Sequence, residues 1–311
     1  MRIPWVLLIV LVVACGHPST PRARTIATLT EDGITPFSLT ISGNRIYVLT
    51  STADLGVMRL FAVDSASGQT QVLSPTLPNG ALALDGDKLV YGEFFGAVGT
   101  IDPTSGAYSQ THKLDQSIAS VIATKWGVFV GGDDKVFSID ASGVHTVPGF
   151  DIGPYHNVDQ LAASASAVYA TGTLATSVVR IQDGHTSAIA DKQTDPMDLT
   201  VAGDDILWTT GEGSDPGKKL VGVPASGGPV AVLAQADAGA LIWNIAADGN
   251  TVVCSMTSDK QGGIYLITKG TAPRLLVAAH AAHMAVAGGS VYWIEETPGG
   301  WALKTLAVAS K

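Results

Sequence analysis

Ser42-Gly43-Asn44-Arg45-Ile46-Tyr47-Val48 is a tight polar turn followed by an apolar strand that carries an aromatic residue, and it returns as Asp85-Gly86-Asp87-Lys88-Leu89-Val90-Tyr91. Later copies centre on Val128-Phe129-Val130, Val168-Tyr169-Ala170, Ile206-Leu207-Trp208, Val252-Val253-Cys254 and Val291-Tyr292-Trp293. The first residues of the seven trios are 43, 39, 40, 38, 46 and 39 positions apart. A period near 40 without helical periodicity is the mark of a repeat architecture.

Other columns hold the same register. Seven residues before each trio stand Leu39, Leu82, Val121, Leu161, Leu199, Ile245 and Met284. Five before it stand Ile41, Leu84, Ala123, Ala163, Val201, Ala247 and Val286. Two apolar columns separated by two positions predict a strand with a buried face. The column between them is mostly small (Thr40, Ala83, Ile122, Ala162, Thr200, Ala246, Ala285), which suits blades crowding toward an axis. After the trio comes a third strand, which in several copies ends in a polar turn, as in Asp64…Ser67-Gly68, Asp102…Ser105-Gly106 and Asp140…Ser142-Gly143. Asp and Ser bond back to the backbone there and Gly supplies a positive φ. A short fourth strand follows at Gln71–Leu73, Val230–Val232 and Arg274–Leu276. Four antiparallel strands per period describe an all-β, seven-bladed β-propeller.

The seventh copy ends after its third strand, near Leu303 to Val308. Thr25–Leu29 precedes the first trio by the interval that separates fourth strands from the next trio elsewhere, so it is expected to complete the last blade. Closure would remove the open edges that invite aggregation; the alternative is an open stack of sheets. The propeller is thus assigned to residues 25–311.

Leu207-Trp208-Thr209-Thr210 and Tyr292-Trp293-Ile294-Glu295 carry a degenerate form of the Tyr-Trp-Thr-Asp strand. On these residues the chain resembles bacterial propellers of the YWTD, NHL and YVTN kind. The resemblance implies the fold and leaves the activity open, because propellers host many unrelated functions.

The 311 residues include 35 Gly and 15 Pro, with 14% charged residues against about 25% in typical soluble chains. That composition argues against helical bundles and bulk disorder. A net charge of −9 with only 18 Lys and Arg argues against a nucleic-acid footprint. Two Cys rule out a disulfide scaffold and a Cys-based zinc cluster.

The N-terminus reads as an address. Arg2 precedes an apolar run from Ile3 to Val13 that is too short to cross a bilayer and fits a signal peptide over residues 1–14. The run ends Val12-Val13-Ala14-Cys15-Gly16, which resembles a bacterial lipobox. The resemblance implies a diacylated Cys15 anchored in the membrane of the cell envelope, with residues 15–24 as a tether. Gly16, where an Asp would resemble an inner-membrane retention signal, points to the outer membrane. The competing reading is an ordinary signal peptide with an incidental Cys. Cys254 falls in a second-strand column and reads as a small buried hydrophobe.

Motifs for chemistry are sparse. His280 and His283 have the spacing of one helical face but lie where a strand begins. Asp85-Gly86-Asp87, Asp133-Asp134 and Asp204-Asp205 lack the closing Glu of a calcium loop. Neither a nucleophile elbow nor a phosphate loop occurs, and no cofactor is implied. Position in the fold is more informative. The loops where first strands begin and second strands end share one face, here called the top. The column eight before each trio opens the first strands there and reads Ser38, Ala81, Ser120, Gln160, Asp198, Asn244 and His283. Nearby loops and connectors add Glu93, Phe94, Asp133, Tyr155, His156, Glu212, Asp215, Trp243, Asp259, Glu295 and Glu296. Polar and aromatic groups on one concave surface are the expected binding site.

Three functions compete. One is a lipid-anchored, non-enzymatic propeller that binds a protein or envelope component through its top face. The second is a hydrolase resembling gluconolactonase-type propellers, with a cation in the axial channel held by Asp198, Asn244 and Glu93 or Glu295. The third is a scaffold without a small-molecule site.

Overall fold

A computed structural model describes residues 22–30, 33–53, 56–151, 157–172, 174–212, 215–257 and 262–308, apart from the side chains of Glu212 and Asp215. The segment expected to be a signal peptide, Cys15 and most of the expected tether lie outside these residues. The described residues form strands and turns without a helix.

Seven antiparallel sheets of four strands are arranged around an axis. In blades 1 to 6 the strands follow one another in chain order, beginning with β2 (Thr35–Ser42) and β3 (Arg45–Ser51). The repeat register is the hairpin register: Leu39 pairs with Val48, Leu82 with Tyr91, Val121 with Val130 and Met284 with Trp293. Blade 7 is composite. β26 (Ala281–Ala287), β27 (Ser290–Thr297) and β28 (Gly300–Ala307) take as fourth strand β1 (Arg24–Leu29), one residue longer than the expected segment. Thr28 pairs with Ala302 and Leu29 with Trp301, and the Trp301 indole N–H donates to the Ile34 carbonyl at 2.8 Å.

The core is seven apolar layers, one between each pair of neighbouring blades. Tyr47, Leu49 and Leu60 of blade 1 pack on Leu89 and Tyr91 of blade 2. The layer between blades 7 and 1 joins Ala27, Leu29, Ile294 and Leu303 to Ile46, Val48 and Phe61. Burying one such side chain stabilises by about 1.5–3 kcal/mol, so both faces of every blade are committed. The small-residue column faces the next blade: Ala162 meets the layer of Trp208, and Ala246 that of Trp293. The trio aromatics Tyr91, Tyr169, Trp208 and Trp293 are fully buried. Cys254 is also fully buried and unpaired, and burial pushes its thiol up to about 12, which makes it inert filling.

The lower turns form as their sequences dictate. The Asp64 carboxylate accepts from the Ser67 amide and hydroxyl, both at 2.7 Å, and Gly68 closes the turn at φ 73°. Asp102 does the same with Ser105 at 2.6 and 2.9 Å, and Asp140 with Ser142 at 2.7 and 2.5 Å. These bonds hold all three carboxyls below the usual carboxylate range.

Candidate functional site

The top mouth of the channel is built in two ways. In blades 5, 6, 7 and 1 the first strand bulges where it enters, between Met197 and Thr200, Trp243 and Ile245, Ala281 and His283, and Pro36 and Ser38. A bulge re-aims a side chain. Asp198 and Asn244 sit in two of these bulges with left-handed φ of 51° and 50°, a region that Asp and Asn enter at least cost.

Their side chains run round the ring. The Asp198 carboxylate accepts from the backbone N–H of Asn244 in the next blade, and the Thr209 hydroxyl lies 3.4 Å from it. The Asn244 amide donates to the carbonyls of Ala282 at 2.9 Å and Ala281 at 3.4 Å, again one blade on. A His283 ring nitrogen donates to the Pro36 carbonyl of blade 1. Burial raises the Asp198 carboxyl to about 6; the Asn244 and Thr209 hydrogen bonds oppose the rise, and the Asp159 charge adds to it. Burial also holds the His283 imidazole below its ordinary range, so it is neutral at pH 7.

Blades 2, 3 and 4 have straight first strands and use backbone instead. The Ile118 and Ala119 amides donate to the carbonyls of Phe94 and Gly131 at 3.0 and 2.9 Å. This approach requires glycine: a Cβ at Gly132 would lie 1.7 Å from the Ser117 carbonyl oxygen, and one at Gly172 would lie 1.8 Å from that of Asn157. One column side chain joins in, as the Ser120 hydroxyl donates to the Val158 carbonyl of the next blade at 2.8 Å.

The expected site residues therefore separate into groups. Asp198, Asn244 and His283 are brought into one chain of contacts, with Trp243 half-buried beside Asn244. Gln160 opens the first strand of blade 4, half-buried. Glu93 ends the second strand of blade 2; burial of the Tyr91 hydroxyl pushes it up, and the Glu93 charge adds to the rise. Glu295 accepts from the Trp293 indole at 2.8 Å and pairs with Lys304 inside blade 7. The backbones of Glu212 and Asp215 pair across the upper hairpin of blade 5. Tyr155, His156 and Asp259 lie outside the described residues. Among the described residues no three His, Cys, Asp or Glu side chains gather as a metal would require. Of the residues expected to hold a cation, Asp198 and Asn244 each hydrogen-bond across to the next blade, and Glu295 is paired with Trp293 and Lys304 inside blade 7.

Sequence reasoning named Phe94 but missed the other exposed apolar groups of the same face. Phe95 is 73% exposed and meets Phe94, 42% exposed, edge to face at 5.4 Å. Phe37, in the bulge of blade 1, is 46% exposed and Leu174, in the top loop of blade 4, 63%. Phe-Phe in a loop was the available signal. The Asp140–Ser142–His145 cluster at the opposite end is no triad, because Asp140 and Ser142 both approach His145 Nε2, at 3.5 and 2.8 Å, and neither orients Nδ1.

No protein-family model matches the chain, and no curated protein does. Solved structures do. A catalytically inactive virginiamycin B lyase from Staphylococcus aureus, solved with quinupristin, is 14% identical at TM-score 0.70, over 93% of this chain and 100% of that one. U3-55K is 11% identical at TM-score 0.68, over 92% and 98%. BamB from Moraxella catarrhalis is 15% identical at TM-score 0.54, over 93% and 99%. The chain is a seven-bladed β-propeller, and at these identities the likeness is one of fold.

Proposed function

We propose that this chain is a lipid-anchored propeller of the bacterial cell envelope, attached through Cys15 to the outer membrane, which binds a protein or envelope component through its top face without catalysis. The carrying observation is the exposed Phe94–Phe95 pair, with Phe37 and Leu174 on the same face. Exposed large apolar side chains on an otherwise closed, rigid ring are the informative departure from an ordinary surface. Glu93, Gln160, Asp198, Trp243, Asn244 and His283 supply a polar rim to that face, and Tyr155, His156, Glu212, Asp215 and Glu295 belong to the same expectation. The lipobox resemblance supports the anchor, and the degenerate tetrads support kinship with YWTD, NHL and YVTN propellers. A fold shared with BamB and with a chain of the mitotic checkpoint complex is compatible with a scaffold role.

Mass spectrometry of the mature N-terminus tests the anchor: a diacylated Cys15 is expected, and cleavage elsewhere overturns it. A photo-crosslinking residue placed at Phe95 tests the face. It should trap an envelope component that the same residue at Val144, on the lower rim, does not trap. Equal trapping at both places, or none at Phe95, rejects the top-face assignment.

A further inference from the structure

Blades diverge from the axis, so wedges open between them at the lower rim, opposite the Phe94–Phe95 face. One, of about 260 Å³, lies between blades 3 and 4. Its apolar walls are Trp126, Phe129, Val147 and Ile181, and its rim carries the carboxylates of Asp140 and Asp183. The Thr186 hydroxyl donates to the Gly149 carbonyl at 2.8 Å and ties the connector above the wedge to blade 4, which fixes the upper wall. Among the described residues no Lys or Arg lines it, and the one imidazole in its lining, His145, stands with Nε2 3.5 Å from Asp140 Oδ1.

Two other wedges of the ring differ in ways that matter. The one between blades 5 and 6, about 300 Å³, is crossed by the Lys269–Asp205 ion pair at 3.2 Å. The one between blades 6 and 7, about 490 Å³, is lined by Arg274 and by no carboxylate or aromatic side chain. Only the first of the three joins aromatic walls to a carboxylate, that of Asp183, with no Lys or Arg in its lining.

From this we infer that the wedge between blades 3 and 4 is a binding site for a small organic monocation, an ammonium or guanidinium on an aromatic or aliphatic body. The aromatic face of Trp126 attracts a cation electrostatically, and Asp183 and Asp140 complete the counter-charge. The protein displays this affinity itself, because the Lys125 ammonium stands 4.8 Å from the centre of the Trp126 ring. Phe129, Val147 and Ile181 take the apolar body. Asp140 is held by its own turn through Ser142, stays ionised and shares its charge with His145, whose Nε2 is 3.5 Å away, so Asp183 is the principal counter-charge. Asp183 is exposed, with φ 51° in the hairpin turn before Gly184, and is free to face a ligand from blade 4.

The test uses the whole purified chain and 2-phenylethylammonium, titrated by calorimetry and by ligand-observed NMR at pH 7.5 and moderate salt. Saturable one-to-one binding is expected with a dissociation constant on the order of 1 mM. 2-Phenylethanol and phenylacetate share the body and lack the positive charge, and propylammonium lacks the ring; each should bind at least about fivefold more weakly. Trp126→Ala and Asp183→Asn change exposed residues, and Asn tolerates the left-handed φ, so both variants should fold; each should weaken binding roughly 5–10-fold. Lys125→Ala, which frees the ring face and removes a competing cation, should strengthen it severalfold. Absence of saturable binding up to about 20 mM, equal binding of phenylacetate, or indifference to both Trp126→Ala and Asp183→Asn overturns the assignment.

Discussion

The top mouth solves one problem twice. Around blades 2, 3 and 4 the connectors lie directly on glycines, and backbone amides hold them: Ile118 to Phe94, Ala119 to Gly131. Around blades 5, 6, 7 and 1 the first strands bulge, and Asp198, Asn244 and His283 reach across to the next blade. The first solution depends on the absence of a side chain, the second on its chemistry. A glycine-based joint fails by steric overlap whatever the pH. A side-chain joint fails gradually, by loss of one hydrogen bond, and can be tuned by ionisation. The polar column that reads as a binding surface is, in its bulged half, also the fastening of the ring.

The contrast predicts an order of effects. Gly132→Ala should be the most damaging, because its Cβ would overlap the Ser117 carbonyl oxygen at 1.7 Å and backbone must move. A loss of about 3–5 kcal/mol in urea unfolding is expected; a change within error would show that the connector is not seated there. Asn244→Ala removes two donations to the Ala281 and Ala282 carbonyls and leaves Ala in a left-handed conformation. It should cost about 2–3 kcal/mol, and Asn244→Gly less, since glycine relieves the backbone part.

Asp198→Asn should act in the opposite direction at neutral pH. The folded carboxyl titrates near 6 and the unfolded one near 3.8, so the folded state holds its proton more tightly. Stability from this group is therefore greatest below about pH 4 and is lost as pH rises through 6. The Asn variant escapes that loss. Its advantage should be near zero at pH 4 and grow to roughly 1–3 kcal/mol above pH 6.5, read as the difference between two stability–pH curves. A flat difference would remove the burial argument. Ser120→Ala should have the smallest effect, about 1 kcal/mol, by deleting one buried hydroxyl donation in the half that relies on backbone. A cost as large as that of Asn244→Ala would erase the distinction between the halves.

Much of this architecture is legible in the chain. Seven trios at a near-constant period, two apolar columns two positions apart, and Asp-Ser-Gly turns define blades, hairpin registers and lower turns, because each depends on residues within about 40 positions. The place of Thr25–Leu29 is also legible, since its interval to the first trio matches that between fourth strands and the next trio in other blades. The site is less so. Asp198, Asn244 and His283 share a column, but nothing local says that a bulge turns each toward its neighbour. Phe95 and the wedge beside Trp126 escape notice because exposure is set by what fails to pack against a residue.

Sequence by itself thus determined the repeat, the blade count, the closure and the inertness of Cys254, all consequences of periodic burial and local turn chemistry. Tertiary structure alone decided which polar residues are consumed as fastenings, and that the wedge between blades 3 and 4 is left open. The reason is geometric. Hydrogen-bond partners and cavities lie between blades, among residues some 40 positions apart, and depend on bulges and radial divergence that no single repeat encodes.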